Sequence, residues 1–501
     1  MPQNIFSHIL AEIKTVDALS KYISDNASSI GELSRLNYND LSEIADSANK
    51  CVLLRHKLLT ELDFNDIQNR AFILNIFDLC ERYNLQAAVL RLRDIMRDHN
   101  IEMNHRQQAV LLFLCDIHYN SDYIERFDDI CSLLEEASLY EEDDDKKVIL
   151  TLLNYYATTL DYSVDCAGAL KEKIKSAAAS NQYRFLNNSI ISSIDTLVSR
   201  EDAQSLIDRI TSSQPIASSF DNENLIIERG TEYSEKLANT PRNFDAIRRL
   251  SVNYCMSHQN DYNTRGVRPA TEEFELYEYL KRYGNMHKAK VLSALAHPFP
   301  ARFNSKSNLV DWGCGQGLAT ILFLEKYGID CVNRIILTDA SEIALARAAL
   351  HCRHYAPNIR ITTIHKKLDD LSARDFESIV GQPCINLFSN ILDIDDYSVD
   401  HLVSIIDQLR PAGSYFVCIS PYISIQKTAK VASFHRYFRD RYSGYELINE
   451  AENSNSGEFW CCNNTYKNNG VVHHGEYQNC LVHDITGCDN RWTRVMRVFR
   501  L

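Results

Sequence analysis

Proline is nearly missing from the first part of this 501-residue chain: between Pro2 and Pro215 there is none, and glycine is sparse over the same stretch. Little there interrupts a helix. Long apolar runs are also missing. No stretch approaches about 18 consecutive apolar residues, so no membrane-spanning helix is expected. The opening, MPQNIFSHILAEIK, has no basic run followed by an apolar core and does not read as a secretory signal. The fifteen cysteines are odd in number and scattered. A disulfide framework would need a small secreted chain with patterned spacing, so reduced thiols in a cytoplasm are expected. With 45% hydrophobic and 24% charged residues, wholesale disorder and collagen-like structure are excluded. The length exceeds one ordinary domain of about 150 residues.

Positive charge is in short supply at the front. Residues 1–240 hold 23 Lys+Arg against 39 Asp+Glu, a net −16, while 241–300 carry a net +3 and 301–501 a net −1. An acidic first half repels nucleic acid at long range, which argues against broad DNA binding. The basic middle leaves a local phosphate, RNA or nucleotide contact open.

Residues 1–212 show apolar positions at helical spacing. In AFILNIFDLCERYNLQAAVLRLRDIMRDH, Phe72, Ile73, Ile76, Leu79 and Cys80 share one face. Candidate helices begin near Ile67, Arg106, Asp144 and Gln182, each followed by a second helix, with an implied period of about 38 residues. That suits an all-helical, solenoid-like domain of paired helices, and an irregular helical bundle is the alternative. The run EEDDDKK (Glu141–Lys147) reads as a solvated loop with carboxylates at a helix start rather than a metal cluster. No catalytic constellation stands out here. The expected role is recruiting a partner or shaping access to the second half.

Residues 213–241, polar and bounded by prolines, read as a linker, and 242–300 as a helical lid region. Within EEFELYEYLKRYGNMHKAKVLSALA the residues Tyr283, Gly284, Asn285, Met286 and His287 form a polar and aromatic break. It reads as a helix-to-helix turn or as a lid contributing to a pocket. The proline pair of HPFPARF ends that helix.

From Asn308 the pattern becomes short β-rich runs alternating with helices: NLVD, then WGCGQG and the helix LATILFLEKYG; RIILTD and the helix SEIALARAALHCRHYA; NIRITTI; PCINLFSN and a helix over Ser398–Arg410; then SYFVCIS. This alternation implies a parallel sheet covered by helices on both faces. Gly313, Gly315 and Gly317 are spaced G-x-G-x-G after the strand-end Asp311, and position 318 is Leu318. The dinucleotide fingerprint G-x-G-x-x-G needs glycine there, so NAD is disfavoured. Glycines let the backbone pass close to a ligand. Asp311 suits a ligand with a positive amino group. Asp339, 22 residues after Gly317, ends the next strand, where a carboxylate can accept both hydroxyls of a ribose.

VDWGCGQG, ILTDAS, INLFSNILDI and LRPAGSYFVCIS resemble, in order, the motifs of class I S-adenosylmethionine-dependent methyltransferases, over about residues 280–425. The resemblance implies a Rossmann-like seven-stranded domain over 301–501, with TRVMRVFRL as the last, antiparallel strand. It implies S-adenosyl-L-methionine as cofactor. Asp311, Gly313, Cys314, Gly315 and Gly317 would hold its methionine end, Asp339 the ribose, Ala340 the adenine edge, and Leu368, Asp369 or Asp370 would cover the ring. Where the family often carries an acid four before the loop leucine, this chain has Lys367, counting from Leu371. Ser389 and Asn390 would face the methyl group and the acceptor. Candidates for alignment or proton handling are Asn390, Asp393, His287 and Tyr283. Asp393, Asp395 and Asp396 also read as helix-capping carboxylates.

The sequence also narrows the acceptor. Amino-methylating DNA enzymes carry an Asn/Asp-Pro-Pro-aromatic motif after the fourth strand, and here Ser389-Asn390-Ile391-Leu392 has no proline. Cytosine C5 enzymes place a Pro-Cys nucleophile after that strand, whereas Pro383-Cys384 precedes it here, so Cys384 reads as a core thiol. Between the last strands, about 451–492, Cys461, Cys462, His473, His474, Cys480, His483 and Cys488 are zinc-compatible types without the spacing of familiar fingers. An extra hairpin built from FWCC and CLVHDI is preferred, and no metal is assigned.

The leading expectation is a methyltransferase whose helical half recruits a protein or RNA acceptor. A catalytically silent methyltransferase-like scaffold and a small-molecule methyltransferase are the alternatives.

Overall fold

The computed structural model describes residues 5–35, 38–139, 145–186, 191–211, 226, 231–257, 268–296, 306–453, 460–461, 466–468, 471–473 and 491–501. The chain forms two compact units, Met1–Gln214 with Ile423–Ala429, and Pro215–Tyr422 with Lys430–Leu501.

The first unit is helical. Its longer helices include Tyr38–Leu54, Ile67–Arg82, Gln86–Asp98, His105–Leu114, Phe127–Leu139, Asp145–Tyr162, Val164–Ala179 and Arg200–Thr211. His105–Leu114 packs on Phe127–Leu139, and Asp145–Tyr162 on both Val164–Ala179 and Arg200–Thr211. Side-chain caps open several of them: Asp66, Ser163, and Asn104, whose capping box with Gln107 satisfies two orphan donors. Three end on an asparagine in the left-handed region, Asn84 (φ 54°), Asn100 (φ 53°) and Asn181 (φ 55°). In each case the next residue's N–H returns to a carbonyl five residues back: Leu85 to Cys80, Ile101 to Met96, Gln182 to Ala177. Asparagine here does the work usually given to glycine at a helix end. The helix expected from Gln182 is instead two short 3-10 turns, Arg184–Leu186 and Ile191–Thr196, because Asn181 closes the preceding helix just before it.

The second unit is built on seven strands: β1 (Ser307–Trp312), β2 (Val332–Asp339), β3 (Arg360–His365), β4 (Cys384–Ser389), β5 (Tyr415–Ser420), β6 (Glu446–Asn453) and β7 (Arg494–Arg500). Their order is β3-β2-β1-β4-β5-β7-β6. The first five pair in parallel, and β7 runs antiparallel to both neighbours. That order and that one reversed strand define the class I methyltransferase fold. Its helices are α1 (Glu232–Ala238), α2 (Phe244–Ser257), α3 (Glu273–Ala294), α4 (Leu318–Tyr327), α5 (Glu342–Tyr355), α6 (Val399–Gln408) and, from Lys430 onward, α7 (Ile425–Arg441).

Strand residues alternate between two cores. Leu309, Ile335, Leu337, Ile385, Leu387 and Val417 pack under α2–α5, while Val310, Ile336, Phe388, Phe416 and Phe499 pack under α6 and α7. On the second face Trp312, Phe388, Phe416 and Phe499 stack across four strands with ring planes within 6° and centroids 5.7, 6.4 and 4.7 Å apart. The Trp312 indole N–H donates to Asn386 at 3.1 Å, so the one polar atom of that ladder is satisfied.

Two expectations change. The region 213–241 contains helix α1, capped by Thr231, and its Tyr233 is buried in the core of this unit. No break occurs at Tyr283–His287, because α3 runs unbroken from Glu273 to Ala294. Gly284 is accounted for by packing: a Cβ there would lie 3.0 Å from the Arg248 Cδ that crosses the helix. The run Glu141–Lys147 is described only from Asp145, and no side chain of 145 or 146 is described. In the insertion, Trp460–Cys461 pairs with Tyr466–Asn468 and with Arg491–Trp492, and Tyr466–Asn468 also pairs with Val471–His473. The segment CLVHDI and the side chains of Cys461, Cys462, His473, His474, Cys480, His483 and Cys488 lie outside the described residues.

Candidate active site

A cavity of about 210 Å³ lies over the carboxyl ends of β1–β4, walled by the turn after each strand and by the start of α3. The strand order reverses between β1 and β4, and open α/β sheets bind ligands at such switch points.

The turn after β1 is fixed by backbone bonds. Gly313 N–H donates to the Thr338 hydroxyl at 3.1 Å, Cys314 N–H to the Thr338 carbonyl at 2.8 Å, and Gly315 N–H to the Asp339 carboxylate at 2.7 Å. Its three glycines are all left-handed, with φ of 62°, 51° and 73°, and they answer different needs. A Cβ at Gly313 would collide with Ile391 Cδ1 at 2.5 Å, and one at Gly317 would press on Ala348 Cβ at 3.1 Å. A Cβ at Gly315 would meet nothing within 4 Å. Gly313 and Gly317 are therefore required by packing, and Gly315 borders open cavity. Gly317 is the N-cap of α4 and does not line the cavity.

Asp339, Ala340, Lys367 and Leu368 line one wall. Asp339 Oδ2 accepts from Gly315 and Oδ1 accepts the Ser341 N–H at 2.8 Å. Each carboxylate oxygen keeps a further lone pair for a hydroxyl donor. Burial raises this carboxyl above its ordinary value, against the lowering pull of those N–H bonds. Asp369 faces elsewhere: it accepts the Ser398 N–H at 2.7 Å at the start of α6 and does not line the cavity. Asp311 is also outside the lining. Its carboxylate, 1% exposed, turns under α4 and accepts the Thr320 hydroxyl at 2.7 Å, while burial lifts its pKa to about 7.

At the opposite wall Ser389 and Asn390 follow β4. Asn390 is left-handed (φ 56°), a position few side chains adopt, and its N–H is held by the Ile419 carbonyl at 2.7 Å. Its carboxamide oxygen accepts from Lys290 Nζ at 2.6 Å, and its nitrogen lies 2.9 Å from His287 Nδ1. His287 Nε2 is 2.6 Å from the Tyr279 hydroxyl. Burial, reinforced by the Lys290 charge, drops the His287 pKa to about 3. The structure thus gathers Gly313, Cys314, Gly315, Asp339, Ala340, Leu368, Ser389, Asn390 and His287 around one cavity. Tyr283 stands back, its ring 5.2 Å from that of Tyr279, and the buried Asp393 does not reach the lining. The helix after this loop is capped by Ser398 rather than by Asp393, Asp395 or Asp396. Cys384 opens β4, at the sheet edge away from the cavity, and burial pushes its thiol up to about 12.

Several lining or supporting residues escaped the sequence reading: Arg268, Glu275, Tyr279, Gln316 and Lys290, while Asp396, read as a helix cap, lines the cavity. A signal existed for two of them. Tyr279, Tyr283, His287 and Lys290 recur at i, i+4, i+8 and i+11, one stripe of α3. Glu275 closes a capping box with Glu272 and also pairs with Arg268, which ties the start of α3 to the segment before it. Ser341 donates to the Ala270 carbonyl at 2.6 Å, so that segment is anchored beside Asp339.

No protein-family model matches the chain, and no curated protein is similar to it. Among solved structures, it is similar to the plantazolicin methyltransferase BpumL in complex with a monoazolic desmethylPZN analog and SAH, at 13% identity and a TM-score of 0.25, over 44% of this chain and 80% of that one. It is also similar to geranyl diphosphate methyltransferase in complex with GPP and sinefungin, at 15% identity and a TM-score of 0.25, over 44% and 83% of the two chains. Similarity this distant says nothing about the acceptor.

Proposed function

We propose that this chain transfers a methyl group from S-adenosyl-L-methionine to an acceptor. The observation that carries the reading is the pairing of Gly315 and Asp339. At the switch point of the sheet, one glycine borders empty space that a side chain would fill, and the carboxylate bonded to it lines the same cavity. That combination fits a nucleoside with ribose hydroxyls and a tail passing close to the backbone.

The cofactor, when bound, supplies a methyl group already activated on a sulfonium. The chain's residues then have to bind and align. Asp339 accepts ribose hydroxyls, Ala340 and Leu368 give the base an apolar slot, and the Gly313–Gly315 turn allows close approach of the tail. Asn390 and Ser389 border the region where the acceptor would enter, beside His287 and Tyr279. Arg268, Pro269 and Ala270 close the cavity from the segment before α3, which helps exclude water.

The helical first unit supports a macromolecular acceptor, since methylating a small molecule requires no such recruiting body. Its net −13 over residues 1–214 favours a basic protein segment over RNA. Incubating the full chain with radiolabelled S-adenosylmethionine and a cell lysate, split into protein, RNA and small-molecule fractions, tests this. Label in protein is expected. Label confined to small molecules would reject the recruiting role, and no label with intact cofactor binding would favour a silent scaffold.

A further inference from the structure

Lys290 is 1% exposed and ends with its Nζ 2.6 Å from the Asn390 carboxamide oxygen. An ammonium donates and never accepts, so it fixes which end of that carboxamide faces it. The carboxamide nitrogen is left facing His287, at 2.9 Å from both Nδ1 and Nε2. His287, 5% exposed, has Tyr279 as its other partner. We propose that Lys290 is a positioning residue: by holding the Asn390 NH2 towards His287 it keeps that imidazole neutral on the cavity wall, so that His287 orients the methyl acceptor and does not take its proton. The last clause rests on the methyltransferase reading; the rest does not.

A protonated imidazole carries N–H on both nitrogens, and one of them would then face the donor nitrogen of Asn390. The groups that face His287 are Tyr279 and Lys290 from its own helix and Asn390 from the turn after β4. None of these is a carboxylate, and the charge that bears on the ring is the Lys290 cation. Burial acts in the same direction. A neutral ring keeps one nitrogen that accepts from the Asn390 NH2, which a protonated ring lacks. If the acceptor carries a proton, that proton leaves to water or to a carboxylate on the wall such as Asp396. Sequence reasoning put His287 forward for alignment or proton handling, and its surroundings argue for alignment.

The test is a histidine titration by NMR on the full chain labelled at histidine Cε1, with His287→Gln to assign the signal. In the wild type the His287 signal is expected to stay at its neutral position from pH 8 down to pH 5. In Lys290→Met the carboxamide is free to turn, and the midpoint should rise by at least one pH unit. Asn390→Asp places a carboxylate against the ring, and the midpoint should rise further. Lys290→Arg, which keeps a donor, should restore the wild-type behaviour. Should Lys290→Met fail to fold, the wild-type and Asn390→Asp titrations decide. A wild-type midpoint near 6.5, or an unmoved signal in folded Lys290→Met and Asn390→Asp, would overturn the proposal. Calorimetry with S-adenosylhomocysteine on the same samples separates the two readings. Failure to bind with a neutral His287 removes the methyltransferase and leaves the positioning role, and binding with a titrating His287 does the reverse.

Discussion

The carboxylate of Asp339 accepts the backbone N–H of Gly315 at 2.7 Å, so the end of β2 and the middle of the glycine turn are one rigid piece. The second oxygen of the same carboxylate holds Ser341, the N-cap of α5. Three elements that wall the cavity meet at a single side chain. A change at Asp339 should therefore disturb the shape of the turn as well as remove a ribose partner.

The glycines separate packing from ligand space. Gly317→Ala should lower stability by about 1–3 kcal/mol, because φ is left-handed and Ala348 sits against the new methyl. Gly315→Val carries the same left-handed strain (φ 51°) but meets no neighbour within 4 Å, and it should abolish binding of S-adenosylhomocysteine. Thermal melts and calorimetry on the two variants check this, and equal binding by wild type and Gly315→Val would contradict it.

Asp311 gives a pH signature. Its unfolded pKa is about 3.9, and burial raises the folded value to about 7. Between those values the folded chain binds the extra proton, so this group's contribution is full below about pH 4 and is lost as pH rises to 7. Asp311→Asn keeps an acceptor for Thr320 and removes the titration. Relative to wild type the variant should gain more than about 1 kcal/mol on going from pH 5 to pH 8. Urea unfolding at both pH values measures it, and parallel changes in the two proteins would contradict the burial assigned to Asp311.

In the helical unit Arg106 lies between two carboxylates, 2.5 Å from Asp78 and 2.6 Å from Glu81, with Arg106 and Glu81 both buried. Thr151 donates to the second Glu81 oxygen at 2.8 Å. Arg106→Met strands Glu81 in the interior, where burial already raises its pKa. A loss of about 3–5 kcal/mol is expected, and Arg106→Met with Glu81→Leu should recover part of it. Denaturant unfolding of the single and double variants decides, and a loss below about 1 kcal/mol for the single variant would show that the pair is solvated.

The parallel strands were legible because Val310, Ile336, Leu387 and Phe416 lie in short apolar runs bounded by turns, as doubly covered strands must. Strand β6 was not. Glu446–Asn453 is an edge strand, largely exposed, and its sequence ELINEAEN carries little apolar signal. The place of Asp339 at the end of β2 and of Gly315 on the same cavity wall followed from spacing. Asp311 did not: its type and place at a strand end suggested a ligand, and only packing shows that it turns under α4 to Thr320. The Lys290–Asn390–His287 cluster joins residues 100 positions apart, which no local pattern can reveal. Tyr283 looked like part of a helix break because Gly284 follows it, but that glycine is explained by Arg248 crossing at 3.0 Å.

Calorimetric titration of S-adenosylhomocysteine into the full chain, wild type against Asp339→Ala, tests the central claim most directly. Two charge-assisted hydrogen bonds of about 1.5–3 kcal/mol each are at stake. Micromolar binding by the wild type and a loss of at least a hundredfold in the variant are expected. No heat from the wild type, or the same affinity in both proteins, would contradict a nucleoside held at the end of β2.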